Sequence, residues 1–191
     1  QGGAPFRTEI VATRNHWEAA HVAPQYALAR GWERQLDTRY DGVFYQGLSA
    51  RSYRLWLDDN AVRFVALSDA PLDYAARGEA ALLRHPPAFL RTVWRGRHWQ
   101  VFAVRDERPL ASGPATLASL GAERFALSVT RPGDITVRVR FSPYWAVTSG
   151  RGCVEPGEGG WTRVRASQAG PLVVAIRFSP TRLVQRGARC T

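Results

Sequence analysis

Three features of the sequence predict an α+β fold in which a small α/β layer, ordered helix, strand, helix and hairpin, is followed by an antiparallel β-sandwich. Between Ser49 and Leu83, two segments with helical apolar spacing flank a short β-branched run, "AVRFVAL". Beyond residue 109 the periodicity becomes two, with turns at "RPGD" and "QAGP". A chain of 191 residues that is 45% apolar and carries seven Trp has material for one large core or two small ones. The predicted division is a linker or expression lead over 1–7, an α/β domain over 8–108 and a β-sandwich over 109–191.

Taken in order, "FRTEIVA" alternates well enough for a strand, and "HWEAAHVA" reads as a helical turn stopped by Pro24. Ser49 is a helix N-cap, with Leu48 and Tyr53 in the hydrophobic staple positions and Asn60 as the left-handed stop. "AVRFVAL" then suits a strand covered on both faces. Pro71 and the acidic cap Asp73 introduce a second helix, which carries Ala76, Ala80 and Leu83 on one side and ends at His85, Pro86 and Pro87. "FLRTVW" and "HWQVFAV" form a hairpin through Gly96. "PLASGPATLASLG" has linker composition. In "ITVRVRF" and "LVVAIRF" alternate residues share a face, and "SGRGCVEPGEGG" reads as a long loop between the sandwich strands.

All 26 basic residues are Arg, a pattern that codon bias in a GC-rich genome explains without any selection for guanidinium chemistry. Residues 1–108 hold fifteen Arg against twelve acids, net +3; residues 109–191 hold eleven against four, net +7. Such an excess favours an anionic partner such as lipid headgroups or polyanionic glycans. Arg138, Arg140, Arg163, Arg165 and Arg177 are expected to decorate one sheet face. Aromatics do not interleave with them and no RNA-binding signature is present, so nucleic acid is not an expected partner. The two cysteines, Cys153 and Cys190, cannot complete a Cys-rich zinc site and form no C-x-x-C motif. A disulfide closing a loop of about 37 residues is the simpler reading and implies an oxidising compartment; two buried free thiols are the alternative. No apolar run reaches the roughly 18 residues a membrane helix needs. The absence of Met and the "QGGAPF" opening make a piece of a longer chain the expectation, with any membrane anchor outside it.

Candidate ligand residues fall in two groups. Arg30, Trp32, Glu33, Arg34 and Asp37 crowd into "ARGWERQLD", where Glu33 and Asp37 have the spacing of an acid pair on one helical face with Arg34 nearby. Ser68, Asp69 and Asp73 follow a buried strand and precede a helix, the place where open α/β sheets bind ligands. Trp17, with Trp32 and Tyr40, offers a face for stacking on a sugar ring or on another side chain. His16 and His21 are five apart, about 140° around a helix, which does not fit a zinc-protease helix, and neither a metal nor a cofactor is expected. "GLSAR" lacks the closing Gly of a nucleophile elbow. No catalytic residue is assigned.

The succession "HWEAAHVAP", "LARGWERQLD", "YDGVFYQGLSARSYRLWLDDNAVRFVALSDAPLDY" and "WRGRHWQVFAV", with "FSPYWAV", "GCV" and "GGWTRV" further on, resembles the C-terminal region of polytopic actinobacterial membrane proteins of glycosyltransferase-like (GT-C-type) architecture. The resemblance covers most of the chain from about Thr8. It implies that any catalytic acid lies in an early membrane loop outside this chain. It further implies an extracytoplasmic, noncatalytic piece that assists glycan or lipid-linked sugar recognition, with the missing transmembrane portion, a glycan or an anionic lipid as partners. The Arg30 to Asp37 cluster is then expected to pack on that membrane portion or on the second domain, with a ligand-facing role as the alternative. An autonomous carbohydrate-binding module using Trp32 or Trp161, and a small hydrolase using acids near the strand end, are the rival functions.

Overall fold

The computed structural model describes residues 4–31, 34–178 and Cys190, with the side chains of Ala19 and Arg34 outside the description. The fold is α+β. Its chain divides into two compact units, Phe6–Arg108 and a second formed by the described residues from Pro109 together with those before Phe6.

In the first unit the chain leaves β1 (Arg7–Ile10) through α1 (Trp17–Val22) and returns as the short parallel strand β2 (Ala27–Leu28). It then crosses through α2 (Arg34–Tyr40), a 3₁₀ turn at Gly42–Phe44 and α3 (Ala50–Asp59) to β3 (Val62–Ser68), parallel to β1 on its other side. A 3₁₀ turn at Tyr74–Ala76 and α4 (Arg77–Arg84) lead into the hairpin of β4 (Leu90–Arg95) and β5 (Trp99–Val104), giving the sheet order β2-β1-β3-β5-β4. The expected helix, strand, helix and hairpin are present, preceded by the β1–α1–β2 unit.

Local chemistry explains the boundaries. Ser49 Oγ accepts from Ser52 N at 3.1 Å while Ser52 Oγ accepts from Ser49 N at 3.0 Å, a reciprocal cap that starts α3. Tyr53, Trp56 and Leu57 then face Phe44, Leu83 and Phe102 in the core. Asn60 is not the left-handed stop. It stays right-handed at φ −86° and its side-chain amide donates to Trp56 O at 3.0 Å, so the reversal falls one residue later, on Ala61 at φ 53°.

The second unit holds β6 (Ala111–Ser112), β7 (Ala115–Leu120), β8 (Arg124–Val129), β9 (Gly133–Arg140), β10 (Trp145–Ser149), β11 (Gly152–Pro156), β12 (Trp161–Ala166) and β13 (Gly170–Ile176). They form two antiparallel sheets, β10-β13-β8-β7 and β11-β12-β9-β6, as in a β-sandwich. Two segments depart from expectation. "PLASGPATLASLG" is not a linker but supplies β6 and β7, one in each sheet, with Gly113 at the corner: a Cβ there would sit 2.5 Å from Asp134 O, and its φ is +106°. Small residues masked the alternation that buries Ala111, Ala115 and Leu117. "SGRGCVEPGEGG" likewise contains β11, which pairs with β12 so that Cys153 lies opposite Arg165.

The Arg stripe divides. Arg138, Arg140, Arg163 and Arg165 belong to β9 and β12 of one sheet, whereas Arg177 follows β13 of the other. Those of the first sheet are engaged: Arg140 lies 3.8 Å above the Trp161 ring, and Arg165 Nε donates to Asp134 at 3.1 Å.

A disulfide joins Cys153 to Cys190 across 37 residues and ties the chain's end to β11. On the chain-entropy account, reducing it removes about 4 kcal/mol of stability. The expected outcome is a lower guanidinium midpoint in the presence of reductant, and none in a Cys153→Ala/Cys190→Ala protein, whose midpoint is already lowered.

Candidate functional site

The most demanding feature of the first unit is a guanidinium in its interior. Arg30 leaves the end of β2 and donates from Nε and Nη2 to Glu9 Oε1 at 2.9 and 2.7 Å, and from Nη2 to Glu79 Oε2 at 3.0 Å. Its carbon centre lies 3.7 Å over the Phe44 ring. Glu79 Oε1 accepts the Tyr53 hydroxyl at 2.6 Å, and Asp37 Oδ1 stands 3.8 Å from Arg30 Nη1 while Oδ2 accepts from Tyr45. Trp56 Nε1 donates to buried Asp41 at 2.8 Å beside this group.

Glu9 and Glu79 share one cation, and burial governs their protonation. Burial pushes the Glu9 carboxyl well above its ordinary 4.5; Arg30 opposes the shift and Glu79 adds to it. Glu79 is raised by the same cause against the pull of Arg30 and Tyr53. Burial disfavours the Arg30 charge as well, but Glu9 and Glu79 outweigh it and hold the guanidinium protonated. Tyr53, raised by burial and by these acids, keeps its proton and serves as a donor.

Above this network lies a cleft of about 30 Å³, reached by Arg30, Asp37, His16, Glu18 and Asp73. His16 is held at φ 53°, a region a β-carbon residue occupies at a cost of about 1–2 kcal/mol. Its ring stands between two carboxylates, Nδ1 3.8 Å from Glu18 and Nε2 3.7 Å from Asp73. Glu18 is buried and accepts from both the amide and the hydroxyl of Thr13. The Thr13 hydroxyl is therefore committed to Glu18, and among the described residues no hydroxyl or thiol is hydrogen-bonded to the His16 imidazole.

Beside the cleft opens a hollow of about 630 Å³ bordered by Asn15, His16, Trp17, Leu28 and Arg30. Trp17 is 63% exposed there and stacks on His21, ring centres 6.1 Å apart. Both openings lie beyond the carboxyl ends of β1 and β2.

The structure brings Trp17, Arg30, Asp37 and Asp73 to this end of the sheet. Asp73 also caps the following turn, accepting from Ala75 N at 2.9 Å. Trp32 and Glu33 lie outside the described residues, as does the side chain of Arg34, so the Glu33–Asp37 acid pair is not described. Among the described side chains, Arg30 is a cation that faces Asp37. The cluster expected to face another part of the protein is thus, for Arg30 and Asp37, built into this unit's own interior. Ser68 and Asp69 stand apart, at the end of β3: Ser68 is buried, and Asp69 is exposed and bound to His98 Nδ1 at 2.8 Å.

Sequence reasoning passed over Glu9, Glu18 and Glu79. The signal for Glu79 was present, since it shares the helical face of Ala76, Ala80 and Leu83, an acid on a core stripe. Glu9 sits within an apolar strand, an equally readable sign. Comparison with known proteins returns no matching family model, no matching curated protein and no matching solved structure.

Removing the cation strands two buried carboxyls. Arg30→Met is expected to cost about 3–5 kcal/mol in urea denaturation. The pH dependence follows from the raised Glu9 and Glu79 values. Below about 4.5 both carboxyls are protonated, folded or unfolded, and their contribution is fully present; as pH rises the unfolded chain releases the protons first, and stability falls until the folded values are passed. Glu79→Gln is expected to flatten this decline above pH 4.5, measured as the urea midpoint against pH.

Proposed function

We propose that this chain is a noncatalytic extracytoplasmic recognition domain of a membrane-bound glycosyltransferase-like protein, and that it holds a glycan or lipid-linked sugar in the hollow beside Trp17. The observation that carries this reading is the exposed indole bordering a largely apolar hollow that has a few polar groups, Asn15, His16 and Arg30, on its margin. An aromatic face flanked by fixed hydrogen-bonding groups is the arrangement that stacks on a sugar ring and orients its hydroxyls. Arg30 is immobilised by its carboxylates, so this polar group is set before a ligand arrives.

Two further observations support it. The Cys153–Cys190 disulfide agrees with an oxidising compartment. The commitment of Thr13 to Glu18 agrees with binding in place of turnover. Among the described residues no helix is long and apolar enough to cross a membrane, so in this reading any anchor belongs to another part of the parent protein.

A glycan array followed by calorimetry tests the assignment. Saturable binding of a glycan by the protein is expected, weakened at least about tenfold, or 1.4 kcal/mol, in Trp17→Ala. Trp94→Ala, which removes another exposed indole on β4, is expected to leave it unchanged. Absence of saturable binding, equal loss in both variants, or sugar transfer by this chain would each overturn the reading.

A further inference from the structure

A second hollow, of about 570 Å³, lies at the carboxyl end of β3, and Arg14, Arg77 and Arg84 line it with Ser68 and Asp69. Arg14 comes from the loop after β1, Ser68 and Asp69 from the end of β3, and Arg77 and Arg84 from opposite ends of α4. Its position is beyond the carboxyl ends of the neighbouring parallel strands β1 and β3, where the strand order β2-β1-β3 reverses and open α/β sheets receive ligands.

Among the described residues Arg91 and Arg95 on β4 are also without partners, but here three guanidiniums surround one hollow. Among the described residues none of the three guanidiniums has an ion pair, a hydrogen bond or an aromatic partner, whereas Arg54 pairs with Asp58 and Arg63 with Glu107. The acid on the rim, Asp69, is already held by His98 at 2.8 Å. Ser68, 9% exposed, contributes a hydroxyl with no hydrogen-bond partner among the described residues, one of very few such buried groups. Three like charges around one hollow repel one another unless an anion enters, and planar guanidiniums match the oxygens of a phosphoryl group in forked geometry. A dianion answers three cations and one engaged carboxylate better than a carboxylate ligand does.

We infer that Arg14, Arg77 and Arg84 form a binding site for a phosphoryl group, carried by a phosphomonoester or by a lipid headgroup. The site is separate from the Trp17 hollow, and none of its residues enters the sugar reading.

Calorimetry with glycerol 1-phosphate, and co-sedimentation with phosphatidylcholine vesicles containing phosphatidic acid, test it on the full chain. The test variant is Arg14→Gln/Arg77→Gln/Arg84→Gln; Arg91→Gln/Arg95→Gln/Arg97→Gln, on and beside the edge strand β4, removes the same charge elsewhere in the unit. Saturable binding of at least one probe is expected, lowered about tenfold or more in the test variant and unchanged in the control. Binding of glycerol 1-phosphate assigns a soluble phosphomonoester, and binding to vesicles only assigns a headgroup. Because the three side chains are exposed and unpaired, the variant is expected to retain the parent's circular dichroism and urea midpoint. No saturable binding of either probe, or equal loss in both variants, overturns the inference; loss of glycan binding in Trp17→Ala stands independently of either result.

Discussion

Five segments far apart in sequence meet at one guanidinium. Glu9 comes from β1, Arg30 from the end of β2, Asp37 from α2, Tyr53 from α3 and Glu79 from α4, and each touches Arg30 or a group bound to it. Burying any of these charges by itself costs several kcal/mol, so the arrangement is tolerable only because each faces an opposite charge or a hydrogen-bond partner; Asp37 Oδ1 meets Arg30 without a hydrogen bond. That requirement fixes register. A one-residue slip of β1 would turn Glu9 to the opposite face of the sheet and leave Arg30 hydrogen-bonded to Glu79 alone among these carboxylates. The apolar core of Tyr53, Leu57, Leu83 and Phe102 supplies much of the driving force, but apolar contacts of that kind accept more than one packing; the ionic network admits one.

The same constraint shapes the surface above. Arg30 forms the floor of the cleft and reaches the margin of the Trp17 hollow, so its immobility is inherited by both. His16, strained and set between Glu18 and Asp73, gives that margin a second fixed group. The three unpaired arginines at the end of β3 show the opposite treatment of the same side-chain type. Where Arg30 is neutralised from within, Arg14, Arg77 and Arg84 are left for something from outside. The first unit thus uses arginine both as an internal strut and as an open receptor, and the difference lies in which carboxylates are within reach.

Much of the fold was legible because it rests on local signals. The Ser49 cap, the core stripe of α3, the run "AVRFVAL" and the Gly96 hairpin each depend on residues within one or two turns of one another. The failures share a cause as well. β6 is only Ala and Ser, β7 sets two Leu among Ala, Thr and Ser, and β11 carries a single Val between Cys and Glu, so weak side-chain contrast hides a period of two; their strand character comes from neighbours supplied by distant sequence. The site was half legible. Arg30, Asp37, Asp73 and Trp17 stood out as charged or aromatic residues near turns, but their partners, Glu9 and Glu79, are separated by 70 positions and no local rule connects them. What the sequence did offer was two acids at apolar positions, and an acid at such a position implies a buried cation elsewhere.

The central claim is that two crowded, buried carboxyls share one guanidinium. Carboxyl-carbon NMR titration of the intact protein with Glu9 and Glu79 assigned tests this most directly. Both are expected to titrate above 4.5, with the Arg30 Nε proton slow to exchange throughout. Glu9 and Glu79 titrating at or below that value, together with a rapidly exchanging Arg30 Nε proton, would show that the network is open to water and would contradict the account.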